Sequence, residues 1–153
     1  MNELKNEFGD AIFENEVLVR SKLAQIVFSD PEKLNTLNTI VHRYVISECD
    51  NICKELFEKG NETVFIDAPQ LYEAGMEKML DAVIAVIASK DLRMKRIIKR
   101  DSISELSARG RIDNQHSDEF FKENADFIIE NNLSSSDDEL KKRLKEIITE
   151  LGV

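Results

Sequence analysis

Apolar residues recur at helical spacing along most of the chain, and the exceptions are short. Leu4 and Phe8 stand four apart in a polar run that stops at Gly9, which predicts a short first helix over 4–8. Val17-Leu18-Val19-Arg20 leads into a second, carrying Leu23, Ala24, Val27 and Phe28. Asp30-Pro31 is a start signal: the aspartate can accept from the orphan N–H groups of a first helical turn, and proline has no N–H to leave unpaired there. Leu34, Leu37, Val41, Val45, Cys49, Ile52 and Leu56 then repeat at helical spacing as far as Gly60, a long amphipathic helix with a break expected near His42-Arg43.

Elsewhere the pattern changes to that of strands. Val64-Phe65-Ile66 runs into Asp67 and then Pro69, which reads as a buried strand presenting a carboxylate at its C-terminal end. Asp81 to Ala88 is apolar without alternation, as a parallel strand buried on both faces would be. Ala125 to Asn131 reads as a third strand. A helix begins near Lys90, with Met94, Ile97 and Ile98 on one side and Arg93, Arg96 and Arg100 on another. Ser102 with Glu105 forms a capping-box pattern opening a further helix that carries Arg109 and Arg111, and Ser136 with Glu139 repeats it before a last helix with Leu140, Leu144, Ile147, Ile148 and Leu151 inward. Helices alternating with apolar strands predict an α/β layered fold with a parallel sheet, and nothing in the 153 residues divides them, so one domain is expected.

Composition narrows the function. The net charge of -9 argues against a general nucleic-acid surface. Its distribution is uneven: from Lys90 to Arg111 eight basic residues meet three acidic ones, a window of +5 that leaves -14 for the rest. A basic island on an acidic chain suits a small polyanion. No apolar run reaches the ~18 residues of a membrane span, and the first ten residues are too polar for a signal sequence, so a cytoplasmic protein without a membrane partner is expected. Cys49 and Cys53, four apart on an apolar stripe, read as reduced core residues rather than metal ligands. Two triplets, Asn61-Glu62-Thr63 and Asn132-Leu133-Ser134, fit a glycosylation pattern without any sign of secretion.

The chemistry-bearing residues each admit two readings. Asp67 is a functional carboxylate, since ligands of open α/β sheets sit beyond the carboxyl ends of the strands, or only a strand terminator. The arginine stripe is a phosphate lid or a solvated basic face. His42 is a ligand contact or a packed histidine, and Arg20 a ligand contact or half of a local ion pair.

Taken in order, the pieces resemble dephospho-coenzyme A kinase, a P-loop kinase that phosphorylates the ribose 3′-hydroxyl of dephospho-coenzyme A with ATP. The resemblance runs from Phe8-Gly9 to Asn131. Val19 to Phe28 is similar to the family's Arg-x-x-Leu-(x)3-Val-Phe segment, and His42 falls where the family has His-Pro, with Arg43 in place of the proline. Asp67-Ala68-Pro69-Gln70-Leu71-Tyr72-Glu73 resembles Asp-x-Pro-Leu-Leu-Phe-Glu, Arg96, Arg100, Arg111 and Gln115 match the lid pattern, and Ala125 to Asn131 is similar to the strand and turn beside the adenine. The resemblance implies a three-layer P-loop-kinase-like fold with a helical lid over 91–124. It places Arg20, His42, Pro69, Leu71 and Glu73 in the acceptor pocket and Asp67 beside magnesium as a catalytic carboxylate. It also sets Arg100 and Arg111 over the phosphates and Arg96 and Asn131 at the nucleotide.

One part of the family pattern is not in these residues. None of the five glycines, Gly9, Gly60, Gly75, Gly110 and Gly152, begins a Gly-x-x-x-x-Gly-Lys-Ser/Thr run, and the strand expected before it and the strand bearing the general base are not found either. The fold is therefore expected to be incomplete by two strands, with no metal site of its own, and Mg-ATP, the intact family's cosubstrate, is not expected to bind tightly to this chain alone. In the family the first strand lies between the strands corresponding to Val64–Asp67 and Asp81–Ala88, so the open sheet edge invites a homo-oligomer or a separate N-terminal partner. A dephospho-coenzyme A kinase-like protein, inactive alone, is the leading expectation. The alternatives are a pseudoenzyme holding a coenzyme A-like ligand and an oligomerising interaction protein.

Overall fold

The computed structural model describes residues 2–132 and 136–153, so Leu133 and Ser134 of the second glycosylation triplet lie outside the described residues. The chain forms two compact units, Met1–Lys78 and Met79–Val153.

The first unit is helical. Helix α1 (Asn2–Phe8) and a 3-10 turn (Asp10–Ile12) lead into a small hairpin of β1 (Phe13–Glu14) and β2 (Val17–Leu18), followed by α2 (Arg20–Val27) and α3 (Pro31–Glu58). Asn15 and Glu16 make the hairpin turn with φ of 49° and 65°, two successive left-handed residues whose twist matches a two-residue antiparallel hairpin. Ile12, Leu23 and Val27 are the buried centre, and Leu4, Phe8, Leu34 and Leu37 pack around them. The Asp30 side chain accepts from the backbone N–H of Glu32 at 3.0 Å and Lys33 at 3.4 Å, with Pro31 in the first turn. At the far end Gly60 has φ 87°, and N–H groups of Gly60 and Asn61 return to the carbonyls of Phe57 and Leu56, satisfying two of the orphan carbonyls of the last turn.

Several expectations are corrected here. Helix α3 is continuous through His42-Arg43, since neither proline nor glycine interrupts its ladder. Phe28 is exposed beyond the end of α2, and Cys49 and Cys53 are free but only half-buried. Val64 to Asp67 is not a buried strand. Accessibility alternates along it, half-buried at Val64 and Ile66 and exposed at Phe65 and Asp67, as one strand face would, yet the described residues offer it no ladder. A strand needs a neighbour's N–H and C=O groups, which a run of β-prone residues does not supply.

The second unit is α/β. Strand β3 (Ile84–Ile87) pairs parallel with β4 (Phe127–Glu130), and the connection carries α4 (Lys90–Asp101), α5 (Glu105–Asp113) and α6 (Asp118–Asn124). Helix α7 (Asp137–Glu150) follows and packs on β4. Parallel pairing is as expected, with Ile84 opposite Phe127 and Ile87 opposite Glu130. The ladder is locked at both ends: Asp126 accepts from Val83 N–H at 2.8 Å, and Asn132 accepts from Ser89 N–H at 3.0 Å. Among the described residues the parallel sheet is nonetheless two strands, not three, and β3 is buried on one face only. Val83, Ala85 and Ile87 are buried while Val86 is 63% exposed, because an apolar sequence states what wants cover and not whether this chain supplies it.

The capping box of α7 is present as expected, Ser136 accepting from Glu139 N–H and Glu139 accepting from Ser136 N–H. Ile147 is fully buried, but Leu144 is exposed, so the inward face is narrower than expected. Ser102 does not open α5. It closes α4 in the left-handed region at φ 51°, and Ser104, two residues on, is the N-cap that accepts from Ser107 N–H at 3.2 Å. Helix α6 was not foreseen, although Ser117 caps it through Phe120 N–H at 3.1 Å.

Candidate functional site

Helices α4 and α5 pack on one another, with Leu92, Ala108 and Ile112 buried. Polar contacts tie the helical connection together: Lys90 Nζ lies 2.7 Å from Asp113, and Arg93 donates to Gln115 at 3.2 Å and to Asp118 at 3.1 Å. Gln115 therefore holds the helical connection through Arg93. The His116 ring stacks on Phe120 with centroids 3.8 Å apart, and Phe121 meets both rings edge-on.

At the far end of α4 the two expected lid arginines come together. Arg100 donates from Nε and Nη2 to the two oxygens of Asp101 at 2.7 and 3.0 Å, and Arg111 of α5 donates from Nη1 to the same carboxylate. The Asp101 side chain is 23% exposed, against 73% for Arg100 and 54% for Arg111, so the carboxylate sits beneath and guanidinium surface faces outward. Hydrogen bonds from Arg100, and secondarily from Arg111, hold the Asp101 carboxyl below its ordinary range, and the same contact raises Arg100. Two outward planar cations on adjoining helices can receive phosphate oxygens as forked donors.

Arg96 and Asn131, both expected at the nucleotide, also meet. Arg96 Nη2 donates to Asn131 Oδ1 at 3.0 Å, while the Asn131 N–H donates to the Ile87 carbonyl at 2.8 Å. Arg96 is thereby tethered just past the carboxyl ends of β3 and β4, where open α/β sheets bind ligands.

The residues expected at the acceptor all lie in the first unit. Arg20 opens α2, anchored by the Val19 N–H on the Ile12 carbonyl at 2.8 Å. It is exposed and makes no ion pair among the described residues, and its neighbour Lys22 pairs with Glu14 at 2.8 Å. His42 is half-buried on α3, and beside it Arg43 pairs with Glu3 of α1 and lies over the Tyr44 ring. Asp67 is exposed. Pro69 and Glu73 are exposed and Leu71 half-buried on a helical turn that closes at Gly75 (φ 70°), where Gly75 N–H reaches the Tyr72 carbonyl and Met76 N–H the Leu71 carbonyl.

Magnesium is the ion the kinase chemistry implies. No group of three or more His, Cys, Asp or Glu able to hold a metal occurs among the described residues. Magnesium takes most of its ligands from water and phosphates and only one or two from carboxylates, so a single carboxylate such as Asp67 would supply only part of its shell. Among the described residues no helix is long and apolar enough to cross a membrane.

Sequence reasoning missed Asp101, counting it only as one acid within a basic window. Its signal was positional: a carboxylate on the last residue of a helix opposes the helix dipole unless cations answer it.

The family profile described as "CoaE: Dephospho-CoA kinase" matches residues 1–137. An uncharacterized protein of Caenorhabditis elegans is 35% identical over 98% of this chain and 64% of its own length. A dephospho-CoA kinase of Fusobacterium nucleatum is 41% identical over 92% of this chain and 71% of its own. The chain thus spans about two thirds of the length of these relatives. Among solved structures, TT1252 from Thermus thermophilus superposes with a TM-score of 0.76 at 32% identity, covering 98% of this chain and 75% of that one. The dephospho-CoA kinase of Campylobacter jejuni gives a TM-score of 0.65 at 27% identity, covering 97% of this chain and 75% of that one. The chain belongs to the dephospho-CoA kinase family.

Proposed function

We propose that this chain carries the acceptor-binding region and the phosphate lid of a cytoplasmic dephospho-CoA kinase, which transfers the γ-phosphoryl group of Mg-ATP to the ribose 3′-hydroxyl of dephospho-CoA. The observation that carries this is the pair Arg100 and Arg111, gathered on one carboxylate with guanidinium surface facing solvent. Phosphoryl transfer asks a protein chiefly to position reactants and to stabilise charge on the equatorial oxygens, and forked cations on a helical lid do the second. Arg96, tethered by Asn131 at the strand ends, is the third cation for the nucleotide. In the first unit Arg20 receives a phosphate of the acceptor, and His42 with the turn from Pro69 to Glu73 forms the remainder of its pocket. Asp67 stands beside the magnesium as a catalytic carboxylate.

These 153 residues contain no Gly-x-x-x-x-Gly-Lys-Ser/Thr run. Such a loop supplies the nest of N–H groups, the phosphate lysine and the magnesium hydroxyl, so the chain by itself binds Mg-ATP weakly and turns over negligibly. Incubating the pure chain with dephospho-CoA and Mg-ATP and assaying coenzyme A is expected to give no product above background. Robust 3′-phosphorylation would overturn this. The exposed Val86 on β3 fits a sheet face that another segment or chain covers.

A further inference from the structure

We propose that Asp101 is a positioning residue that assembles the phosphate-receiving arginine pair, gathering Arg100 and Arg111 into one forked cation before any anion arrives; this rests on the lid reading above. Two guanidinium groups brought close together repel, and free arginines carry large rotamer freedom. Asp101 answers both. Its two oxygens take the Nε and Nη2 edge of Arg100 and one Nη1 donor of Arg111. A guanidinium has five N–H donors, so each arginine keeps donors for a phosphate while the carboxylate lowers the charge of the pair from +2 to +1. Asp101 is the least exposed of the three side chains and both arginines are more than half exposed, so a phosphate can reach the arginines without displacing the carboxylate. Its placement also costs something that only a partner offsets. Asp101 is the last residue of α4, where the helix dipole disfavours an anion, and the next residue, Ser102, turns into the left-handed region. Elsewhere the helical connection is held independently by Lys90 with Asp113 and Arg93 with Gln115 and Asp118, so Asp101 is not needed to keep its helices together.

The test uses the whole chain, nitrogen-15 labelled, with inorganic tripolyphosphate as the probe, titrated by NMR. Asp101→Asn is expected to weaken binding about five- to tenfold although it adds positive charge, the cost of ordering two side chains that the native chain holds ready. The Arg100 Nε–H signal, protected in the native chain, is expected to exchange rapidly in this variant while the backbone amide spectrum is kept. Asp101→Glu is expected to restore binding to within about twofold, and Asp91→Asn, the same charge change on the first turn of α4, to leave it unweakened. Equal or tighter binding by Asp101→Asn with the Arg100 signal unchanged would overturn the positioning role while leaving the lid intact. A native chain whose Arg100 and Arg111 signals ignore tripolyphosphate would overturn the lid, and the positioning role with it.

Discussion

Replacing Ile112 by alanine tests whether the lid is a packed unit or two helices joined only at their surfaces. Ile112 lies on α5 at 4% exposure, one turn from the fully buried Ala108, and α5 packs chiefly on α4. The substitution removes three buried carbons at ~0.8 kcal/mol each, or about 2.4 kcal/mol before any cavity term. Alanine's higher helix propensity returns at most about 0.7 kcal/mol, and residual cavity adds to the loss, so a net cost of about 2 to 4 kcal/mol is expected. Leu106 on the same helix is 81% exposed, and its replacement by alanine is expected to change stability by less than ~0.5 kcal/mol. Native-state hydrogen exchange of the α4 and α5 amides reads the difference locally: at about 1.4 kcal/mol per decade, exchange in Ile112→Ala accelerates roughly fiftyfold and in Leu106→Ala about twofold or less. Because Arg111 is the preceding residue, Ile112→Ala should also weaken tripolyphosphate binding. Similar acceleration in the two variants, or less than about fivefold in Ile112→Ala, would refute the packed seam.

In the first unit, Asp30→Ala removes the acceptor for the N–H groups of Glu32 and Lys33 and is expected to cost about 1 kcal/mol by urea unfolding, with Asp30→Asn retaining most of it. In the second, Asp126→Ala strips Val83 N–H of its side-chain partner and is expected to cost about 1 to 3 kcal/mol, read as faster exchange of the β3 amides. Acid should destabilise both units: Glu3 is held below its ordinary 4.5 by the Arg43 hydrogen bond, Glu139 by Ser136, Asp101 below 3.8 by Arg100 and Asp113 by Lys90. Since each folded-state value lies under the unfolded one, that stability is complete above the ordinary carboxylate range and is lost as pH falls below it through the lowered folded-state values. Thermal midpoints that stay level from pH 6 down to about pH 2 would contradict these contacts.

What was legible in the sequence was local. The Asp30 cap, the Gly60 stop and the Ser136 and Glu139 box each depend on a few consecutive residues, and each appears where the residues put it. Ser102 and Ser104 offer the same hydroxyl two residues apart, and the turn out of α4 decided between them in a way spacing alone does not record. Val64 to Asp67 and Val86 show the complementary failure, since β propensity and apolar character announce a demand for neighbours without naming them. In the candidate site, Arg96 and Asn131 were each foreseen, and so were Arg100 and Arg111. Their meeting was not, because contacts 35 and 10 residues apart depend on the crossover between two parallel strands. Asp101, the residue that joins the second pair, was hidden by its sign within a basic stretch.

The proposed acceptor pocket of Arg20, His42 and the Pro69 to Glu73 turn should hold dephospho-CoA. Calorimetric titration of the pure chain with dephospho-CoA, followed in the same cell by Mg-ATP, tests it most directly. Binding of dephospho-CoA at micromolar strength with little or no heat from Mg-ATP is the predicted result. No binding of dephospho-CoA would contradict it, leaving Arg20, His42 and the Pro69 to Glu73 turn as inherited scaffold.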